Sequence, residues 1–172
     1  MEVSFVVNGV AASVTVEPRR SLLDCIREDL HLHGTHMGCE QGVCGACNVW
    51  LDGQVVRSCL VLAFQADGAE ITTIEGIEGP DGSLSPMQES FCAKHALQCG
   101  YCTPGMIMTL ENLARETPSG SDEDLIEAVS GNICRCTGYH QILDAARSVL
   151  AAGPPSRESS DESAGTLVGG AA

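Results

Sequence analysis

Gly38-Cys39-Glu40-Gln41-Gly42-Val43-Cys44-Gly45-Ala46-Cys47 places three cysteines within nine residues and sets glycines between them. A fourth cysteine, Cys59, follows after eleven intervening residues. A loop built this way can present three thiolates from one side, while Gly38, Gly42 and Gly45 let backbone N–H groups come close to the sulfurs. Working outward, Val3, Phe5 and Val7 alternate up to Asn8-Gly9, a strong two-residue turn signal, and Ala12, Val14 and Val16 alternate again. Ser21 with Asp24 reads as a capped helix start, with Leu22, Leu23, Ile26 and Leu30 as its apolar face. After the cysteine loop, Cys47 to Leu51 and Gln54 to Cys59 read as a second hairpin turned by Asp52-Gly53, and a strand is expected near Glu70 to Ile74. Two hairpins, a further strand and one crossing helix predict a small mixed sheet of the β-grasp type.

The Cys39-x4-Cys44-x2-Cys47…Cys59 spacing is that of a plant-type [2Fe-2S] ferredoxin. In a strict two-residue register Cys47 and Cys59 would fall on opposite faces of the hairpin, so the ladder is expected to distort there. A second constellation, Cys99-x2-Cys102 and Cys134-x-Cys136, lies in a half with a different period. There helices are expected from Ser85-Pro86 toward Gln98, from Thr103-Pro104 toward Glu116, from Ser121 toward Gly131 and from Thr137 toward Ala152. The fold class is thus α+β, an N-terminal β-grasp, ferredoxin-like domain over residues 1–76 followed by a C-terminal four-helix bundle over 77–152. The Pro-, Ser-, Gly- and Glu-rich residues 153–172 read as a disordered tail. Cys102 and Cys136 each stand just before an expected helix, and the echo of Cys-Thr-Pro-Gly in Cys-Thr-Gly-Tyr suggests two corners aiming helix N-termini at one anionic group.

Composition narrows the alternatives. A formal charge of −14 and 3% aromatic residues argue against binding nucleic acid, by charge and by base stacking. No apolar run has the length of a membrane span, and the start lacks a basic stretch leading into an apolar one, so a cytoplasmic chain is expected. In a reducing compartment ten cysteines do not signify disulfides, and metal ligation is the reading to test. Four-cysteine sets also hold structural zinc, so that alternative stands beside iron–sulfur. Cys25 and Cys92 fall outside both sets and read as small buried hydrophobes. With eight cluster positions filled by cysteine, the histidines His31, His33, His36, His95 and His140 are assigned surface or capping roles.

Three segments then carry a family resemblance: Gly38 to Cys47, Gln98-Cys99-Gly100-Tyr101-Cys102-Thr103-Pro104-Gly105-Met106, and Gly131-Asn132-Ile133-Cys134-Arg135-Cys136-Thr137-Gly138-Tyr139. With them the chain, from Val3 to Leu150, resembles the small iron–sulfur subunit of molybdenum hydroxylases, the xanthine dehydrogenase, aldehyde oxidoreductase and carbon monoxide dehydrogenase group. The resemblance implies two [2Fe-2S] clusters, held by Cys39, Cys44, Cys47 and Cys59 and by Cys99, Cys102, Cys134 and Cys136. It implies a large partner subunit carrying a molybdenum-pterin (molybdopterin) centre, a medium subunit carrying FAD, and a dimer of heterotrimers. Electrons would run from molybdenum through the second cluster to the first and on to FAD, with Gln98 and Cys136 contacting the pterin. The chain itself would not be catalytic alone. Asn48, where many relatives have threonine, and the extended tail are the departures. The competing function is a free ferredoxin, for which a helical domain burying another cluster has no use.

Overall fold

The computed structural model describes residues 1–79, 81–118 and 120–152, so the expected tail lies outside the described residues. Strands β1 (Glu2–Val7) and β2 (Val10–Thr15) form the first hairpin, with Val3, Phe5 and Val7 all buried. Asn8 and Gly9 both take positive φ, 50° and 79°, the backbone that a two-residue hairpin turn requires. The second hairpin pairs β3 (Asn48–Leu51) with β4 (Gln54–Arg57) about Asp52-Gly53, and β5 (Glu70–Thr72) completes the sheet. Strand order is β2-β1-β5-β3-β4, with β1 and β5 parallel and the other pairs antiparallel. The mixed sheet is as expected from the alternation.

Helix α1 (Leu22–Asp24) starts where the sequence predicts, capped by Ser21 Oγ, which accepts from the Asp24 N–H. It does not continue as an α-helix. Over Cys25–Asp29 the backbone widens into a π turn, with Leu30 N donating to Cys25 O at 3.0 Å. The apolar face survives the change: Leu22, Cys25 and Ile26 are buried, and Leu30 packs at the edge of the same core. That core, with Phe5, Val49 and Ile71, lies beneath the sheet. Each large side chain removed from water there contributes about 2 kcal/mol.

Helices α2 (Pro86–Ala93), α3 (Thr103–Glu116), α4 (Asp122–Ser130) and α5 (His140–Ala152) share a second core of Met87, Phe91, Met106, Leu110, Leu125 and Ile142. The Ser85/Gln88 and Ser121/Asp124 capping boxes form as read from the sequence. Two boundaries differ. Helix α2 stops at Ala93, not near Gln98, because His95 turns left-handed at φ 53° while Ala96 N bonds Phe91 O and His95 N bonds Cys92 O. This is a Schellman closure with histidine in the position usually held by glycine, so the sequence carried no stop signal. Helix α5 begins at His140, not Thr137, since Gly138 and Tyr139 take φ of 65° and 68°.

The two halves meet without a spacer. Trp50 Nε1 donates to Met108 O at 2.8 Å, and the Arg115 guanidinium lies 4.3 Å over the Trp50 ring. Gly105, in the first turn of α3, packs on the backbone at Gly45, and a Cβ there would overlap Gly45 O. The glycine of the second cysteine segment thus has a packing reason that only the tertiary structure reveals.

Candidate metal centres

The first four cysteines lie on the loop that leads into β3 and on the turn that follows β4. Backbone N–H groups of Gln41, Val43 and Cys44 point at Cys39 Sγ, at 3.4, 3.3 and 3.3 Å. The donors from Gln41 and Cys44 above all hold the Cys39 thiol down at about 6, well below an ordinary cysteine. A loop that wraps N–H groups round one sulfur is built for a negative charge. Cys47 ends the loop just before β3. The ladder distortion required by the sequence is a change of conformation: β4 ends at Arg57 and Ser58–Leu60 turns as a 3-10 helix. Ser58 holds that corner by bonding Cys47 O through both N and Oγ, at 3.3 and 2.7 Å. Cys59 leaves the strand register in this turn. Burial first, and Cys47 second, push its thiol up to about 11.

The second four lie on the connections around α3 and before α5. Cys102 is the N-cap residue of α3, as expected. Cys99 does not end α2; it lies in the loop between α2 and α3, and Gln98 lies there too, exposed. Cys136 does not immediately precede a helix either, so the expected symmetry of two helix N-termini holds at Cys102 only. The turn that carries Cys134 and Cys136 is organised by Tyr139, whose hydroxyl accepts from Cys134 N at 2.8 Å and donates to Asn132 O at 3.2 Å. Thr137 Oγ1 lies 3.0 Å from Cys134 Sγ. Burial pushes the Cys134 thiol up, but the Thr137 side chain and backbone and the Cys136 N–H outweigh it and the net direction is down. Burial, then Cys134, push the Cys102 thiol up to about 12.

The sulfurs meet in twos. Cys136 Sγ lies 3.5 Å from Cys99 Sγ, the Cys134 thiol helps to raise that of Cys102, the Cys47 thiol helps to raise that of Cys59, and Cys44 helps to lower that of Cys39. Among the described residues, no three cysteine, histidine, aspartate or glutamate side chains gather as one mononuclear site. Pairs suit a group with two irons, each taking two thiolates, better than one tetrahedral zinc, which draws four sulfurs to a single point. Thr103 Oγ1, next to Cys102, is buried and has no hydrogen-bond partner, as a donor waiting for a cluster sulfur would be. The donor set therefore fits the binuclear group at both places.

Outside the ligand sets, Cys25 is buried, its thiol pushed up to about 11 chiefly by burial, as suits a core residue. Cys92 is exposed on α2, which corrects its reading as a buried hydrophobe: Met87 and Phe91 take the core-facing positions of that helix. His36 has more than a surface role. Its ring stacks on Tyr101 at 4.7 Å, and its Nδ1 lies 2.8 Å from Tyr101 O, while the Tyr101 hydroxyl donates to Met37 O.

The residues that join the two sites escaped the sequence reading. Cys44 O accepts from Ile133 N at 2.9 Å, directly before Cys134. Asn48 Nδ2 donates to Thr109 Oγ1 at 2.8 Å and to Asn132 Oδ1 at 3.4 Å, and Asn132 Nδ2 reaches Gly45 O at 3.4 Å. Asn48, a mere departure from relatives in the sequence, is the buried centre of the contact between the halves. Asn132 lies inside a quoted motif, so its position was a signal; its partners were not.

Comparison with known proteins agrees with this geometry. Residues 5–73 match the family described as 2Fe-2S iron-sulfur cluster binding domain, and residues 73–147 match the [2Fe-2S] binding domain family. The 6-hydroxypseudooxynicotine dehydrogenase complex subunit beta of Paenarthrobacter nicotinovorans is 56% identical over 146 residues, covering 81% of this chain and 87% of that protein. Caffeine dehydrogenase subunit gamma of Pseudomonas sp. (strain CBB1) is 48% identical over 150 residues, covering 86% and 89%. The solved structure of quinoline 2-oxidoreductase from Pseudomonas putida 86 superposes with a TM-score of 0.84 at 47% identity, over 88% of this chain and 94% of that one. Fold and matches together define an iron–sulfur protein of the [2Fe-2S] class. More particularly, the chain belongs to the family of small iron–sulfur subunits of molybdenum hydroxylases. In that family the molybdenum-pterin centre and FAD are carried by partner subunits. Among the described residues no helix is long and apolar enough to cross a membrane.

Proposed function

We propose that this chain is the electron-transfer subunit of a cytoplasmic molybdenum hydroxylase complex and is not catalytic alone. In this reading a β-grasp domain of residues 1–76 holds one [2Fe-2S] cluster through Cys39, Cys44, Cys47 and Cys59. A four-helix bundle of residues 77–152 holds another through Cys99, Cys102, Cys134 and Cys136, and residues 153–172 form a tail. The clusters, once bound, supply one-electron steps between a two-electron donor and a two-electron acceptor. Electrons enter at the second site, beside the molybdenum-pterin of a large subunit, and leave from the first toward FAD on a medium subunit, in a dimer of heterotrimers.

The observation that carries this reading is the juxtaposition of the two cysteine-bearing regions: Ile133 N bonds Cys44 O, three backbone N–H groups converge on Cys39 Sγ, and Cys136 Sγ lies 3.5 Å from Cys99 Sγ. Exposed apolar side chains surround the cysteine-bearing loops and suit docking on partner subunits: Val43 and Leu60 are 58% and 62% exposed, and Leu97, Tyr101 and Ile133 are exposed as well. The purified chain should contain about four iron and four acid-labile sulfide, with two distinct paramagnetic signals after reduction by dithionite. Stoichiometric zinc and a colourless protein would refute the proposal.

Gln98 and Cys136 would contact the pterin. Gln98 is exposed directly before Cys99. In the assembled complex Gln98→Ala should leave both clusters in place, since an amide is not a ligand. Cluster reduction by substrate should slow by about tenfold, the scale of one lost hydrogen bond of about 1.4 kcal/mol. Rapid-mixing spectra at the wild-type rate would remove Gln98 from the path.

A further inference from the structure

Arg57 ends β4 two residues before Cys59, and its guanidinium enters the seam between the two cysteine-bearing loops. Nη2 donates to Gly131 O at 2.6 Å, Nη1 to Asn48 Oδ1 at 2.7 Å and Nε to Gly42 O at 3.3 Å. Gly42 lies between Cys39 and Cys44, Gly131 lies three residues before Cys134, and Asn48 follows Cys47. One side chain thus touches backbone from both loops.

All three acceptors are neutral. Arg20 and Arg147 meet carboxylates, but among the described residues Arg57 forms no ion pair. A half-buried guanidinium gives up hydration, and carbonyl oxygens return hydrogen bonds without returning charge. Placing a cation there is favourable if a negative charge stands nearby, and the two candidate sites are where such charge would reside. A diferric cluster with two sulfides and four thiolates has a formal charge of about −2, and each one-electron reduction makes it more negative.

We propose that Arg57 is a shared counter-ion and positioning residue for the two clusters, raising both reduction potentials while its fork ties the two loops together. The inference rests on the two-cluster reading given above. A cation near a centre that gains negative charge on reduction favours the reduced form. Because Arg57 contacts both loops, both centres should respond in the same direction.

The test uses the full chain with its clusters, the wild type beside Arg57→Lys, Arg57→Gln and Arg57→Met. Iron and sulfide are counted first, and then the two paramagnetic signals are followed through a mediated redox titration. At the ambient potential where each wild-type centre is half reduced, Arg57→Met should lower the ratio of reduced to oxidised form about tenfold at both centres, which for one electron is about 59 mV. Arg57→Lys keeps the charge and should hold both ratios near the wild type. A purely structural role would not sort the variants by charge. If Arg57→Met fails to fold, Arg57→Gln against Arg57→Lys decides, since both lose the fork and only glutamine loses the charge. Equal ratios in those two variants, or a shift at one centre alone, overturn the proposal. A wild-type chain with fewer than two clusters would instead sink the two-cluster reading, and the proposal with it, before any variant is compared.

Discussion

In the assembled complex, Cys44→Ala is expected to abolish the first cluster while the second still assembles and is still reduced by substrate. The separation follows from what Cys44 does twice. Its thiol is one of the first four sulfurs, and its carbonyl accepts from Ile133 N at 2.9 Å, which helps to seat the turn bearing Cys134. Alanine removes the sulfur and keeps the carbonyl, and the Cys44 N–H that points at Cys39 Sγ is also a backbone group that survives. Serine would be a weaker test, because its hydroxyl can remain near the metal. Loss of groups that merely orient metal ligands costs 10- to 100-fold, so loss of a ligand should slow flavin reduction by substrate more than about a hundredfold. Iron should fall to about half, with one paramagnetic signal remaining. Flavin reduction at the wild-type rate in a variant lacking the first cluster would mean that electrons reach FAD by another route.

Much of this molecule is legible from local rules. Asn8-Gly9 and Asp52-Gly53 turn their hairpins because both residues of each pair take positive φ, and the Ser85 and Ser121 caps form because their partners stand three residues on. The Cys39–Cys47 loop is legible for the same reason, since its glycines and cysteines alternate within nine residues. What escaped lies where tertiary contacts override a local signal. The α2 stop at His95 has no glycine to announce it. The π turn after Asp24 keeps the apolar face that periodicity found, so periodicity could not reveal it. The Ser58–Leu60 corner was required by the sequence, but its form depends on Cys47 O, eleven residues away in the chain. Asn48, Thr109, Asn132 and Arg57 are the extreme case, since their partners lie up to 87 residues off and polar residues at such positions look like ordinary surface. The two halves were readable separately, and their joint was not.

Cys102→Ala tests the other end of the electron path and should have the larger consequence. Cys102 is the N-cap of α3, but its side chain makes no capping hydrogen bond. Thr103 N bonds Gly100 O and Met106 N bonds Cys102 O, both independent of the thiol. Alanine should therefore leave α3 and its core contacts through Met106 and Leu110 in place and remove one sulfur only. The second cluster is then lost, and about two iron remain with the first. Dithionite should still reduce that remaining centre, because its four thiols lie on the other side of the seam. Substrate should not, as the proposed route enters through the missing cluster, and both the first centre and FAD should stay oxidised on the time scale of wild-type turnover. The pair of variants orders the path by its asymmetry: substrate reduces the surviving cluster in Cys44→Ala and fails to reduce it in Cys102→Ala. Freeze-quenched samples after mixing with substrate, followed by dithionite as a control, read both states directly. If substrate reduces the first cluster of Cys102→Ala as fast as in the wild type, the proposed order is reversed or electrons bypass the helical site.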